Sequence, residues 1–258
     1  MVRLRRIEAR LLPRGLPDAI RQFVLFAIAY YGYRIVRGMV DDKAGLAAWN
    51  ATKVIWLEHK LHFFVEPSIQ SWATHTGWII DFASWMYLNS HFVITLGAIF
   101  WLYMFRNESF YFFRNMFMVA MGLALVGYYV YPTAPPRLMP EWGFTDSVAR
   151  FTHVSETNTP VNALLNLYAA VPSMHVCFAL MVGWPLARLV KPRPLKVLWA
   201  LYPLLVTFVV VATGNHFLTD AILGAITAGL SALAADRLFA RVRPAAWAFQ
   251  PARAEAAA

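Results

Sequence analysis

Long apolar stretches, separated by short polar segments, dominate the chain. Six of them approach the length of about 20 residues that a helix needs to cross a bilayer. The first is the weakest, because Arg21 and Arg34 leave only a short apolar centre and must extend toward the membrane surface. The pattern predicts an all-α membrane protein, a six-transmembrane-helix bundle, with spans at residues 19–37, 78–104, 111–131, 172–190, 196–213 and 216–235.

The stretch that follows the first predicted span, residues 44–75, is too polar to cross a membrane. Its large apolar residues recur at helical spacing, which predicts an amphipathic interfacial helix on the outer face, broken at Pro67. A lid or side wall over a site and simple packing are equally open interpretations of this helix. The residues that set the pattern are Leu46, Trp49, Lys53, Trp56, Leu57, Leu61 and Phe64.

The composition supports a membrane protein. Hydrophobic residues make up 59% of the 258 residues and charged residues 14%, with a mean hydropathy of +0.49, whereas soluble domains carry about 25% charged residues. The net charge of +9 would suggest nucleic-acid binding in a soluble protein, but here the basic residues flank apolar segments and indicate topology instead. The single cysteine, Cys177, excludes an internal disulfide and a cysteine-based zinc cluster.

The distribution of basic residues predicts the orientation. With the N-terminus in the cytoplasm, sixteen of the 23 Lys and Arg residues lie in inner segments and seven in outer ones. We therefore expect a multi-pass protein of the plasma (inner) membrane with both termini cytoplasmic. The predicted organisation is a basic N-terminus (1–18), one six-span catalytic domain (19–236) with an extracytoplasmic loop (132–171), and a cytoplasmic tail (237–258).

Three polar spots share the predicted outer side. "YPTAPPRLMP" carries Arg137, "VPSMHVCF" carries Ser173 and His175 at a helix start, and "TGNHFLTDAILG" carries His216 and Asp220. Ionisable groups at membrane depth usually mark a functional site. At i, i+4 spacing the Asp220 carboxylate can accept the Nδ1 proton of His216, which leaves Nε2 as a nucleophile or base.

The other two spots favour phosphate as the ligand. Arginine side chains and helix N-termini both bind anions, and phosphate suits both. Two histidines with a phosphate between them indicate in-line phosphoryl transfer through a phosphohistidine. A helix start with capping residues is the alternative interpretation of His216 and Asp220.

The order Arg, then Pro-Ser-x-His, then His-x3-Asp resembles the type 2 phosphatidic acid phosphatase superfamily of membrane phosphoesterases. It resembles more closely the branch related to inositol phosphorylceramide synthases, as do "LEHKLHFFVEPSIQSW" and "YLNSHF", so the resemblance covers about residues 44–235. The resemblance implies six spans and neither metal nor other cofactor. It also implies a nucleophile matching His216, an orienting carboxylate matching Asp220, a leaving-group acid matching His175, and phosphate contacts matching Arg137 and Ser173.

The sequence departs from the family pattern at several positions. A lysine expected before the arginine and an arginine expected before the nucleophile are both absent, so two of three expected cations are missing. The synthase-like branch similarly lacks the later arginine. A single arginine suggests a phosphodiester head group with fewer charges, and Arg150 in the outer loop offers a second cation. The positions that differ are Val130, Leu138, Met174, Val209 and Val210.

Other polar residues carry weaker signals. The string formed by Glu58, His59 and His62 lacks the register of the zinc-protease motif, so we expect no metal there. His91, like Asn89, is expected to be buried and hydrogen-bonded to another span. Glu66 can pair with a nearby lysine or face the site.

The sequence thus favours a lipid phosphatase or head-group phosphotransferase, with a lipid phosphate as substrate and, for a transferase, an alcohol such as inositol as acceptor. A transporter or scramblase of anionic lipids is the alternative from another class. It requires a polar path across the membrane, and we expect no comparable ionisable cluster in the inner halves of the spans. A metal-dependent hydrolase with His175, His216 and Asp220 as ligands is the second rival.

Overall fold

The computed structural model describes residue 12 and residues 14–38, 43–152 and 168–242. Apart from an isolated β-bridge between Thr133 and Ala169, the regular structure in these ranges is helical, which confirms the all-α prediction for them. Most of the basic N-terminus, part of the predicted outer loop and nearly all of the C-terminal tail lie outside the described residues.

Each predicted span corresponds to a helix or a helix pair. One pair is joined by a π-helical turn, Met86–Ser90, and is bent by 45°. The helices of the spans are α1 (Gly15–Gly38), the pair α4 (Trp78–Trp85) and α5 (His91–Phe105), α6 (Asn107–Val130), α8 (Met174–Leu189), α9 (Arg193–Ala212) and α10 (Leu218–Ala234); between them lie α2 (Ala44–Lys60), α3 (Glu66–His75) and α7 (Ser147–Thr152).

The apolar helices indicate a multi-pass membrane protein. By length and composition, three helices of the described ranges can cross a membrane, at Asn107–Val130, Arg193–Ala212 and Leu218–Phe239, and the bent pair α4–α5 makes a fourth. Helix α8 is apolar but has only 16 residues, fewer than the roughly 20 of an upright span. Six spans therefore stay a prediction.

The segment 44–75 forms two helices, and the predicted break point at Pro67 is wrong. The break lies at residues 61–65, where His62 adopts a positive φ of 58°. Pro67 instead lies in the first turn of α3, where a missing N–H costs nothing because the first turn has no intrahelical acceptor.

Helix α2 has two distinct faces. Large residues of the predicted apolar stripe, including Trp49 and Trp56, are exposed, whereas Ala51 and Ile55 pack with Phe217 in a buried cluster. A helix with one apolar face exposed and the opposite face packed against the protein is consistent with contact between the exposed face and lipid. The location of α2 at the membrane interface stays a prediction.

One end of the bundle gathers the polar segments. Here α6 ends, α8 begins, and α9 turns back into α10. The Ser147 hydroxyl of α7 donates to the carbonyl oxygen of Thr213 (3.0 Å). The backbone N–H of Ser173 donates to the carbonyl oxygen of Asp220 (3.0 Å). We call this end, which holds all three predicted polar spots, the site end.

Candidate active site

His216 and Asp220 meet as the sequence predicts. His216 lies in the turn between α9 and α10, and its Nδ1 is 3.3 Å from Oδ2 of Asp220, with both side chains buried. The same Oδ2 accepts the backbone N–H of Phe217 at 2.9 Å. Asp220 therefore both caps α10 and contacts the imidazole, so the capping interpretation is confirmed and is compatible with the catalytic one, which stays a prediction. With Nδ1 engaged, Nε2 is the ring nitrogen left for chemistry.

His175 lies beside His216. The centroids of the two rings are 5.6 Å apart, close enough for both to contact one phosphoryl group. Tyr87 stacks on His175 at 4.6 Å, and the His91 ring lies 4.7 Å from it. Both neighbours come from the π-helical turn and the start of α5. The site end thus brings together three imidazoles.

The prediction that Asn89 and His91 of the second span are buried and hydrogen-bonded to another span is wrong in part. Asn89 is exposed and donates to the Trp85 carbonyl oxygen of its own helical turn, not to another span. His91 is buried as expected, but its Nδ1 has no hydrogen-bond partner among the described residues. The irregular π-helical backbone turns His91 toward His175, which a regular helical pattern does not reveal.

Arg137 is docked onto the turn that carries His216. Its backbone N–H donates to the Gly214 carbonyl oxygen at 2.7 Å, and its Nη1 donates to Oδ1 of Asn215. Its Nε lies 3.6 Å from Oδ2 of Asp146. Because Asn215 directly precedes His216 in the chain, the guanidinium and the imidazole are held by one short segment.

Ser173 caps α8 at its junction with α10. Its side chain is fully buried, and its Oγ accepts the backbone N–H of Val176 at 3.5 Å. A Cβ at Gly224 would collide with the Ser173 carbonyl oxygen, so only glycine permits this approach of the two helices. The close contact fixes the start of α8, which carries His175, against the helix of Asp220.

A second layer of side chains reaches the site end from α2 and α3. Glu58 Oε1 accepts the backbone N–H of Thr219 at 2.8 Å, and Glu66 Oε1 accepts that of Leu218 at 2.9 Å. Both carboxyl groups are fully buried. Burial, followed by the adjacent Glu66, raises the pKa of Glu58 to about 8. Of the two options for Glu66, the structure has it facing the site end.

The second cation that the sequence offered, Arg150, does not join the site residues in the described part of the chain. Arg150 is exposed on α7, and within the described ranges no hydrogen bond links its side chain to the site residues. Val209 and Val210, which replace family residues, are buried in the core. Sequence reasoning missed Asn215 and Asp146. Only the position of Asn215 beside His216 offered a signal.

The expectation of no ionisable cluster in the opposite halves of the spans is wrong. Arg114 of α6 is fully buried and donates to Gln22 Oε1 (2.9 Å) and Asn115 Oδ1 (2.9 Å). Nearby, the Tyr111 hydroxyl donates to Asp18 at 2.8 Å. These groups fix α1 against α6 through paired contacts.

A helical bundle with a carboxylate-oriented histidine, a second histidine and a docked arginine at one end has the features of a membrane phosphoryl-transfer enzyme. The chain belongs to the PAP2 superfamily, whose family model matches residues 52–234. Membership suggests a lipid phosphatase or phosphotransferase, and the nearer resemblance to inositol phosphorylceramide synthases is not confirmed. Comparisons with curated proteins and with solved structures find no significant match.

Proposed function

We propose that this protein is a lipid phosphoesterase or head-group phosphotransferase that works through a phosphohistidine on His216, without a metal, at the extracytoplasmic face of the plasma membrane. The observation that carries the proposal is the buried hydrogen bond from His216 to Asp220 beside the ring of His175. The extracytoplasmic face rests on the predicted orientation, which puts the site end outside.

In the first step, Nε2 of His216 attacks phosphorus as the bond from phosphorus to the leaving oxygen breaks. His175 in its protonated form donates its proton to that oxygen. Arg137, the Ser173 hydroxyl and the N–H groups that open α8 stabilise the charge on the equatorial oxygens. Asp220 stabilises the positive charge that develops on the His216 ring.

In the second step, neutral His175 takes a proton from the acceptor, whose oxygen attacks phosphorus and releases His216. Water as acceptor gives a phosphatase, and an alcohol gives a transferase. The motif resemblance to inositol phosphorylceramide synthases favours a transferase, for which an alcohol such as inositol is a candidate acceptor. The single arginine favours a phosphodiester product or substrate.

The rival functions fit the site less well. A lipid transporter or scramblase needs a polar path, yet the buried residues of α6 between Asn115 and Tyr128 are apolar, and Arg114 already has partners. A metal-dependent hydrolase uses the Asp220 carboxylate as a ligand, whereas Oδ2 of this carboxylate already contacts His216 Nδ1 and accepts the backbone N–H of Phe217, which leaves only Oδ1 for a metal. No cluster of three or more potential metal ligands occurs within the described part of the chain.

The direct test is a product analysis. Purified protein is incubated with a panel of lipid phosphates and phosphodiesters, with and without inositol and other alcohols, in the presence and absence of EDTA. We expect phosphate release or a new head-group lipid by mass spectrometry, unaffected by EDTA and absent in His216→Ala. Activity lost in EDTA and restored by a divalent metal would contradict the mechanism.

A further inference from the structure

Three consecutive backbone N–H groups at the start of α10 are each bound by a carboxylate. The N–H of Phe217 donates to Asp220, that of Leu218 to Glu66 and that of Thr219 to Glu58. The first N–H groups of a helix have no intrahelical acceptor, and the positive end of the helix dipole favours acidic partners. Two of the three carboxylates come from outside α10, from the segment that precedes α4.

Glu58 and Glu66 use only one oxygen each in these contacts. The second oxygen of each, Oε2, is buried and has no hydrogen-bond partner among the described residues. Two adjacent buried carboxylates cannot both ionise at low cost, because neither is solvated and their charges repel. A single proton between them removes the repulsion and gives both Oε2 atoms a partner.

We propose that Glu58 and Glu66 share one proton and act as positioning residues, which hold the first turn of α10 and thereby the orientation of His216 and Asp220. This inference rests on the proposed function for its catalytic consequence. The pair acts through the backbone of residues 218 and 219, and has no role in the chemical steps.

The surroundings of the pair are consistent with a shared proton. Across the start of α10, Asp220 lies close enough to Glu66 for their charges to interact, and His216 is hydrogen-bonded to Asp220. Desolvation and the neighbouring carboxyl raise the pKa of Glu58 to about 8, so the pair carries its proton at neutral pH. It loses that proton as the pH rises through about 8.

Glutamine and alanine variants separate the shared proton from simple packing. In Glu58→Gln the amide oxygen can accept the Thr219 N–H while the amide NH₂ donates to Glu66, as the protonated acid does. In Glu58→Ala both contacts are lost. Because small misplacements of reacting groups cost up to about 10²-fold in rate, we expect Glu58→Ala to lower kcat by roughly 10- to 100-fold, with little effect on KM.

Glu58→Gln should be at least about tenfold more active than Glu58→Ala, since it restores both hydrogen bonds. The ratio of Glu58→Gln activity to wild-type activity should rise from about pH 7 to about pH 9, since only the wild type has a shared proton to lose. The substrates are p-nitrophenyl phosphate and dioctanoyl phosphatidic acid. Glu141→Gln, at an exposed position outside the site, is the matched control and should behave as wild type at each pH.

A stability measurement tests the pair without any activity. The pKa of Glu58 is raised in the folded protein above its ordinary value of 4.5, so the proton stabilises the fold fully below about pH 4.5 and its contribution is lost as the pH rises to about 8. The Tm of the wild type should therefore fall relative to that of Glu58→Gln across this range.

The outcomes distinguish the inference from the proposed function. A Tm difference that does not change with pH overturns the shared proton, whether or not the protein has activity. Wild-type kcat in Glu58→Ala, or equal kcat in the Ala and Gln variants, overturns the positioning role. A pH-dependent Tm difference in a protein inactive on every lipid tested supports the shared proton and contradicts the proposed function alone.

Discussion

Replacement of Asp220 by Asn isolates the electrostatic part of its role. Asn has nearly the same shape, and its amide oxygen can keep accepting the backbone N–H of Phe217 from the same N3 position of α10. It removes the negative charge that faces Nδ1 of His216 at 3.3 Å within a buried site. A hydrogen bond to a charged group contributes about 1.5–3 kcal/mol. At about 1.4 kcal/mol per tenfold change, we expect phosphoenzyme formation to slow by roughly 10- to 100-fold.

The assay is a rapid-quench measurement of phosphoenzyme formation from p-nitrophenyl phosphate, paired with thermal unfolding. Asp220→Asn should keep a Tm near that of the wild type. Asp220→Ala should also lower the Tm, because it leaves a buried N–H unsatisfied at a cost of about 1–3 kcal/mol. Asp236→Asn, at an exposed position, is the control and should change neither quantity. A wild-type rate in Asp220→Asn would refute the orienting role.

Three further predictions concern the phosphate contact, the packing of α8 against α10 and the side of the membrane on which the site lies. Arg137→Ala should lower kcat by roughly 10²-fold, and Arg137→Lys should recover only part because lysine lacks the bidentate fork; full activity in the Ala variant would mean that phosphate is held elsewhere. Gly224→Ala should lower both Tm and activity, since its methyl group meets the Ser173 carbonyl oxygen, and a wild-type Tm would contradict the close packing. A cysteine at position 141 in a Cys177→Ala background should react with a membrane-impermeant thiol reagent in intact cells, and labelling only after lysis would contradict the extracytoplasmic site.

The features that could be predicted from the sequence are local. Apolar runs gave the approximate bounds of the helices, because a bundle helix in a membrane is apolar over most of its length. The contact of His216 with Asp220 was predicted from i, i+4 spacing, although His216 precedes α10 and the Asp220 side chain reaches back to it from the first turn of that helix. The helical repeat of Trp49 and Trp56 likewise predicted α2.

The features that could not be predicted depend on tertiary contacts across long separations. Glu58 reaches Thr219 over 161 positions, and nothing in its local sequence distinguishes it from an ordinary charged residue on a helix. The approach of His91 to His175 depends on a π-helical turn, which alters the register of the helix. The amphipathic helix was predicted to be broken at Pro67 because proline usually interrupts a helix, whereas Pro67 lies in the first turn of α3, which begins at Glu66.

The most direct test of the central claim is to trap the phosphoenzyme in the two histidine variants. If His216 is the nucleophile, His216→Ala forms no phosphoenzyme from any substrate, since the covalent bond requires its Nε2. If His175 is the leaving-group acid, His175→Ala forms phosphoenzyme from p-nitrophenyl phosphate, whose phenolate leaves without a proton, but not from dioctanoyl phosphatidic acid. Rapid-quench trapping of acid-labile phosphoenzyme with both substrates measures each rate. Phosphoenzyme in His216→Ala, together with none in His175→Ala from the aryl ester, would contradict the account and reverse the two roles.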